Sequence, residues 1–208
     1  MIFGATSYKD TKFGIIARSK LVKLEIEGVK GGVQYVEFLS KQKNIVVTPK
    51  LIKDIHRKSF GWIFPKWAGK FRVINVTYSG KDAPEFYKIN ELITNLCLDL
   101  DEQFKYLPKK DNGKYLTEII RTLAWFQHQF VSIHPFNDYN GRTARLLTTL
   151  LLNKFRLPSI EIKSETRQNR KSYINALQQA DDGNYIKLES LISESINEAL
   201  KNLTSNVY

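Results

Sequence analysis

The residues between 134 and 145 concentrate the side chains of this chain that could carry out chemistry. They include a histidine, an aspartate, an Asn-Gly pair and two arginines, and a leucine-rich helical pattern follows at once. The spacing therefore predicts a tight loop that opens a helix. The first N–H groups of a helix lack intrahelical acceptors, so such a loop is a natural anion site. Arg142 and Arg145 are predicted to share one helical face, where their donors suit phosphate.

The alternative is a polar loop that only caps an apolar helix. A cap needs a single Asn or Asp, whereas this stretch brings together five polar groups. The pattern therefore favours an anion-binding site.

This stretch, HPFNDYNGRTAR, resembles the signature of the Fic (Fido-fold) family, H-x-F-x-[D/E]-[G/A]-N-[G/K]-R-x-x-R. Tyr139 is the one departure, because the family usually has Gly or Ala there. Residues 61–72 resemble the family's "WAGkfR" segment, and the resemblance extends over about residues 45–195. A C-terminal helix similar to the family's "R..Y..AL" pattern contains Arg170, Tyr173, Ala176 and Leu177. The opening Phe3-Gly4-Ala5-Thr6 and the overall length resemble the subgroup labelled mobile mystery protein B.

The resemblance implies a role for each residue of this stretch, called the motif below. His134 is expected to deprotonate a hydroxyl group on a target protein, which then attacks the α-phosphate of ATP. Asp138 is expected to hold Mg²⁺ beside the phosphates. The residues expected to bind phosphate are Tyr139, Asn140 through its side-chain amide, Gly141 through its backbone, Arg142 and Arg145. Phe136 is expected to anchor the loop by pointing inward.

The family resemblance also implies sites outside the motif. Val76, Thr77 and Tyr78 are expected to belong to a β-hairpin flap that docks the target segment, and Tyr173 to line a nucleoside pocket. Glu27 is the first candidate for the glutamate of the family's inhibitory helix, with Glu194 as the second. The ring of Tyr139 is expected to intrude on the anion site, the alternative being that it only caps the loop.

Composition excludes several classes of protein. No apolar run approaches the roughly 20 residues that span a bilayer, and residues 1–20 lack the apolar segment of a secretory signal. The net charge is +11, but the basic residues are scattered and no zinc-finger or RNA-binding spacing occurs. A generic basic surface is therefore favoured over a nucleic-acid site. The single Cys97 fits a reducing compartment and a core position. We expect a cytoplasmic protein with no membrane partner.

Periodicity predicts a mainly α fold with one small β-hairpin. The resemblance implies that this is a Fic/Fido-type helical domain and that the hairpin is its flap. Helices are predicted at 19–28, 33–39, 48–60, 88–104, 115–133, 140–155, 166–180 and 185–202, with a break at Gly31 and Gly32. Alternation over 71–78 predicts a strand, and the polar residues 79–82 predict its turn. We expect one globular unit, in which residues 1–44 form an arm with the candidate inhibitory helix and residues 45–208 form the Fic domain.

The sequence thus predicts a protein adenylyltransferase that transfers AMP from ATP, with Mg²⁺, to a hydroxyl side chain of a target protein. Gly141 favours nucleotidyl transfer, since the family's Doc branch has Lys there and transfers a phosphoryl group. One alternative is transfer of another phosphate-linked group, such as phosphoryl or phosphocholine. Another is a weakened Fic-like module that binds a nucleotide or a partner, a reading that Tyr139 favours. A toxin-like role with a separate antitoxin or regulatory partner stays open.

Overall fold

The computed structural model describes residues 11–42, 45–160, 162 and 166–205, where the chain forms seven α-helices and one hairpin. The elements are α1 (Arg18–Ser40), α2 (Pro49–Phe60), β1 (Thr77–Tyr78), β2 (Lys81–Asp82), α3 (Ile89–Lys105), α4 (Tyr115–Ile133), α5 (Asn140–Lys154), α6 (Arg167–Asp181) and α7 (Ile186–Ser205). The predicted mainly α fold with a small hairpin is confirmed. Among the described helices none is long and apolar enough to cross a membrane. The segment Phe3-Gly4-Ala5-Thr6 lies outside the described residues.

Helix α4 is the centre of the fold and was predicted with the correct bounds. It is buried along most of its length and packs against α3, α5, α6 and α7. Its apolar side chains, among them Phe126 and Phe130, belong to the main core together with Leu147 and Leu150 of α5. The motif loop leaves the C-terminal end of this helix, so the candidate site is attached to an element that packs against four other helices.

Helix α1 runs without interruption through the glycines that were predicted to break it, so that prediction is wrong. Gly28 and Gly32 lie where α1 crosses α2: a Cβ on Gly28 would lie 2.5 Å from Ser59 O, and one on Gly32 would lie 2.2 Å from Ser59 Oγ. Their low helix propensity is outweighed by the close packing that only glycine allows. Helix α1 therefore packs directly on α2 and α5, and the predicted boundary at residues 44 and 45 stays a prediction.

The β-hairpin is much shorter than the strand predicted over residues 71–78. Only Thr77 and Tyr78 form β1, paired antiparallel with Asp82 and Lys81 of β2. Both turn residues, Ser79 and Gly80, have positive φ, as the tight turn of a two-residue hairpin requires. The backbone before β1 has another partner, since Arg72 N donates to Pro135 O at 2.9 Å.

Candidate active site

His134 lies at the point where α4 ends and the motif loop begins. It is the C-cap of α4 and adopts the left-handed conformation, with φ 50° and ψ 57°. This conformation is uncommon outside glycine and turns the chain sharply out of the helix. The expected position of the histidine, at the junction of buried helix and loop, is therefore observed.

The imidazole of His134 is held in a defined tautomer. Its Nδ1 lies 3.2 Å from the backbone oxygen of Val131. A carbonyl oxygen only accepts hydrogen bonds, so Nδ1 carries the proton and Nε2 presents a lone pair. Burial lowers the pKa of His134 to about 4. The hydrogen bond to Val131 raises this pKa, whereas the positive charge of Arg72 lowers it further. The ring is therefore neutral near pH 7 and can accept a proton at Nε2.

Two side chains outside the motif hold this histidine in place. The ring of Tyr78, on the hairpin, stacks on the imidazole with centroids 4.5 Å apart and planes 12° apart. The buried Arg72 donates from Nε to the backbone oxygen of His134 at 2.8 Å and from Nη1 to that of Ile74 at 2.7 Å, and its Nη2 also reaches Pro84 O. Arg72 thus ties both sides of the hairpin base to the end of α4.

The start of α5 is organised by Asn140, but through a different role from the predicted one. Its side-chain oxygen accepts from Phe136 N and its amide donates to Phe136 O, both at 2.9 Å. Asn140 is also only 2% exposed. Its predicted side-chain contact with phosphate is therefore wrong: the amide closes the loop instead. Phe136 is fully buried, as predicted.

The N-terminus of α5 has the predicted character of an anion site. The first backbone hydrogen bond of the helix runs from Thr143 N to Tyr139 O at 2.9 Å. The N–H groups of Asn140, Gly141 and Arg142 precede this ladder and point out of the helix end. A partial positive charge from the helix dipole adds to the two arginines here.

Asp138 and His56 fix the middle of the loop. The carboxylate of Asp138 accepts from Tyr139 N at 2.7 Å, so the predicted metal ligand also braces its own loop. His56 accepts from Gly69 N at Nδ1 (2.9 Å), so its Nε2 carries the proton and donates to Asp138 O (3.1 Å). Within the described residues no group of three or more His, Cys, Asp or Glu could hold a metal ion. A single carboxylate is nevertheless compatible with Mg²⁺, which usually takes few protein ligands beside substrate phosphates.

Tyr139 is buried, and its ring lies beside Arg142. Its φ of 61° is in the left-handed region, where Gly has no steric penalty. Its ring stacks on Phe60 at 4.1 Å and packs near Phe64 and Trp67. The prediction that the ring intrudes on the anion site is therefore wrong, whereas phosphate binding at Tyr139 stays a prediction. Tyr139 belongs to an aromatic cluster that fastens the loop to α2 and the segment after it.

A buried glutamate that the sequence analysis did not select reaches the motif. Glu25 of α1 is 1% exposed and accepts from Tyr139 Oη at 2.9 Å, Arg142 Nη2 at 3.0 Å and Arg18 Nη1 at 3.1 Å. Glu27 instead faces solvent and pairs with Lys30, so its selection as the inhibitory residue is wrong. The second candidate, Glu194, is exposed on α7.

The two motif arginines have different neighbours although they are one helical turn apart. Arg142 pairs with Glu25 and lies over the Tyr139 ring at 5.0 Å. Its Nη1 is buried and has no hydrogen-bond partner among the described residues. Arg145 lies over the ring of Tyr173 at 5.2 Å. Arg142 is thus held by a counter-ion, and Arg145 by an aromatic face.

Tyr173 supports Arg145 from the core. It is 5% exposed, and its hydroxyl donates to the buried Gln127 Oε1 at 2.8 Å. The structure therefore replaces its predicted place in a nucleoside pocket with a packing role. Gly141 lies above the same ring, and a Cβ there would be 3.6 Å from Arg145 Nη1. A long side chain at position 141 would consequently lie against the guanidinium.

Three residues of the site were not assigned roles from sequence, namely Glu25, His56 and Arg72. Two of them carry a signal in the helical pattern. Glu25 lies on the buried stripe of α1, one turn after Leu21 and before Gly28, where an unpaired charge would be costly. His56 similarly lies on the buried face of α2. Arg72 was visible as the last residue of the "WAGkfR" segment, but nothing in its spacing indicated a link to His134.

Comparison with known proteins identifies the family. The model of the Fic/DOC family matches residues 46–152, which include the whole motif. The chain belongs to the Fic/DOC family.

Related sequences carry the name of one activity. The chain is 30% identical over 179 residues to a protein adenylyltransferase Fic of Culex quinquefasciatus, covering 85% of this chain and 33% of that protein. It is 29% identical over 191 residues to a protein of the same name from Nematostella vectensis, covering 89% of this chain and 41% of that protein. The chain thus spans between a third and two fifths of the length of these relatives.

Solved structures confirm the fold. A Fic-domain signaling protein from Bacteroides thetaiotaomicron superposes with a TM-score of 0.69 at 20% identity, over 85% of this chain and 69% of that one. The BepC protein of Bartonella tribocorum, solved with bound AMPPNP, gives a TM-score of 0.69 at 18% identity, over 93% and 94% of the two chains. At these identities the likeness establishes the helical arrangement alone.

Proposed function

We propose that this chain transfers AMP from ATP to a hydroxyl group of a target protein. The observation that carries the proposal is the tautomer of His134, which presents the lone pair of Nε2 at the loop that opens α5. The names of the related sequences support the same activity. Phosphoryl transfer is less well supported, because the family's Doc branch, which transfers a phosphoryl group, has Lys at the position of Gly141.

The proposed reaction assigns one task to each group. His134 Nε2 takes the proton of the target hydroxyl as its oxygen bonds to the α-phosphorus. The bond from that phosphorus to the bridging oxygen breaks, and pyrophosphate leaves with the electron pair. Arg145 and the N–H groups at the start of α5 lie where they can stabilise the charge on the leaving group. Mg²⁺ would neutralise phosphate charge in the bound nucleotide, and Asp138 is the residue that would hold it.

The contacts of this structure fit such a nucleotide. Arg142 Nη1 is a buried donor with no hydrogen-bond partner in the part of the chain that the structure describes, and a phosphate oxygen would satisfy it. Arginine can bind two phosphate oxygens at once, so Nη1 and Nη2 could act together once Nη2 is released from Glu25. The helix end supplies further donors without any rearrangement of the backbone.

Labelled ATP tests the proposed reaction. The protein is incubated with ATP labelled at either the α- or the γ-phosphate, and protein-bound label is measured. AMP transfer labels protein from the α-phosphate only, and phosphoryl transfer from the γ-phosphate only. Absence of label in both, with and without candidate target proteins, would leave a binding module as the better description.

We further propose that Glu25 restrains this activity in the state described here. Its carboxylate occupies a motif arginine that would otherwise meet a nucleotide phosphate. A charge-assisted hydrogen bond contributes roughly 1.5–3 kcal/mol, enough to weaken a competing phosphate contact about tenfold. Burial of Glu25 keeps water from competing for the same arginine.

Substitution of Glu25 tests this restraint, with a control two residues away on the same helix. Glu25→Gln keeps the shape but removes the charge, and we expect ATP to bind about tenfold or more tightly by calorimetry. Glu27→Gln is the matched control, because Glu27 is exposed and pairs only with Lys30 among the described residues. The melting temperature of each variant confirms folding. Equal ATP affinity in folded Glu25→Gln and in the wild type would contradict the restraint.

A further inference from the structure

The hairpin β1–β2 depends on its surroundings for a fixed position. It has only two pairs of residues, and so short a hairpin is not stable by itself in water. Its turn and most of its side chains are exposed. Its base is closed by Ala83 N donating to Val76 O at 3.0 Å, next to the hydrogen bonds of Arg72. The tip needs an anchor of its own.

An ion pair between distant parts of the chain supplies that anchor. Lys81 of β2 donates to Asp181, the last residue of α6. The other carboxylate oxygen of Asp181 lies 3.1 Å from His128 Nε2 on α4. A carboxylate only accepts hydrogen bonds, so the buried His128 is the donor. This hydrogen bond fixes Asp181 on the oxygen that does not bind Lys81. The pair therefore joins a flexible element to two packed helices.

The anchored hairpin also carries the ring that covers His134. Tyr78 stacks on the His134 imidazole, and it pairs with Lys81 across the hairpin. The residue that binds Asp181 of α6 is therefore the direct cross-strand neighbour of Tyr78. A displaced tip would lift Tyr78 from His134, because each strand has only two residues. We propose that Asp181 is a positioning residue for the reaction: through Lys81 it latches the hairpin so that Tyr78 stays stacked on His134.

The role of the latch in the reaction rests on the proposed function, but the experiment that tests the latch does not depend on it. The latch fixes the element expected to dock the target segment, so it acts on the target and on the base rather than on ATP. Because the pair is partly exposed, with side-chain exposures of 43% and 25%, the expected effect is moderate. We expect about a two- to fivefold change in hairpin opening on its loss, in line with exposed ion pairs.

Nuclear magnetic resonance at pH 7 measures the latch directly. The stacked Tyr78 ring shifts the Cε1–H signal of His134, which is assigned by its loss in His134→Ala and whose unstacked position is given by Tyr78→Ala. We expect Asp181→Asn and Lys81→Met to move the signal part of the way to that position. We also expect about two- to fivefold faster hydrogen exchange at the Ala83 amide. Lys81→Arg should restore the wild-type values, and Asp182→Asn, at the exposed neighbouring position, should leave them unchanged.

The two proposals fail in different ways. An unmoved His134 signal and unchanged Ala83 exchange in both Asp181→Asn and Lys81→Met would overturn the latch, whatever the labelling experiment gives. Absence of label from ATP in the wild type would overturn the proposed transfer while the latch could still be observed. If the double variant Lys81→Met/Asp181→Asn shifts the signal by the sum of the single changes, the two residues do not act as a pair and the latch is likewise overturned.

Discussion

His134 and His56 have a similarly lowered pKa and each stacks on an aromatic ring, yet we propose different roles for them. Burial lowers the pKa of each to about 4. Each also stacks on an aromatic ring, His134 on Tyr78 and His56 on Phe136 at 3.8 Å. They differ in hydrogen bonding: His56 uses both ring nitrogens within the fold, whereas His134 uses only Nδ1 among the described residues.

The difference shows which property marks a base in this molecule. A lowered pKa records that an imidazole has been removed from water, and this is equally true of a structural histidine. An unused ring nitrogen beside the motif loop is what would allow proton transfer under the proposed function. His56 instead connects Gly69 to the backbone of Asp138, so it sets the shape of the loop on which His134 depends.

The largest expected effect separates the two residues by activity. His134→Ala should lower the rate of protein labelling about 10²–10⁴-fold, as loss of a general base does. ATP binding should be nearly unchanged, because His134 lies at the opposite end of the loop from the arginines. Calorimetry with ATP serves as the control for an intact site. Undiminished labelling by this variant would remove His134 from the role of base.

Each of the two histidines should contribute to the pH dependence of the free energy of unfolding. Both folded-state pKa values lie near 4, below the ordinary 6.5, so the unfolded chain takes up protons that the folded chain excludes. Their contribution is fully present above pH 6.5 and is lost as the pH falls towards 4. The loss amounts to about 3 kcal/mol for each residue.

Urea unfolding at pH 7 and pH 4.5 measures these shares. His134→Ala and His56→Phe should each reduce the difference between the free energies of unfolding at the two pH values by about the contribution of one histidine. Carboxylates contribute equally to all three proteins and therefore cancel in the comparison. The same pH difference in the wild type and in both variants would show that neither histidine is held neutral by the fold.

The smallest expected effect tests the structural role of His56. His56→Phe preserves the ring on Phe136 but removes the hydrogen bonds from Gly69 N and to Asp138 O. We expect a loss of about 1–3 kcal/mol in the free energy of unfolding at pH 7, the usual penalty for an unsatisfied buried group. Guanidinium unfolding gives the value, with His134→Ala as the comparison. An unchanged midpoint would mean that water or a shifted backbone replaces the imidazole.

The sequence predicted the helices well where the apolar period and the helix caps determine the local structure. The apolar period and the caps located α2 through α7 to within a few residues. The motif likewise placed His134, Asp138 and the two arginines on a single loop and helix end, as the structure shows, while their joint function stays a prediction. Helix α1 was divided in error because glycine propensity is a local property, whereas close contact with Ser59 is a tertiary one.

The errors at the site share a different cause, which is the direction of side chains. A left-handed residue points its side chain where a regular loop would not, and Tyr139 is turned into the aromatic cluster for that reason. Asn140 meets its hydrogen-bonding needs locally, as Asn often does beside a helix start. Glu25 could be recognised only by combining the buried stripe of α1 with charges more than a hundred residues away.

The contact between α1 and α2 through Gly28 and Gly32 has a consequence for control. Helices packed this closely have no clearance for a gradual slide, so α1 is either docked or detached. Glu25 moves with that helix, and detachment also withdraws Val36 from the core. The occupancy of Arg142 is therefore tied to a local unfolding equilibrium. A change in temperature, a bound partner or a substitution anywhere along α1 would therefore change the fraction of molecules in which Glu25 pairs with Arg142, without contacting the site itself.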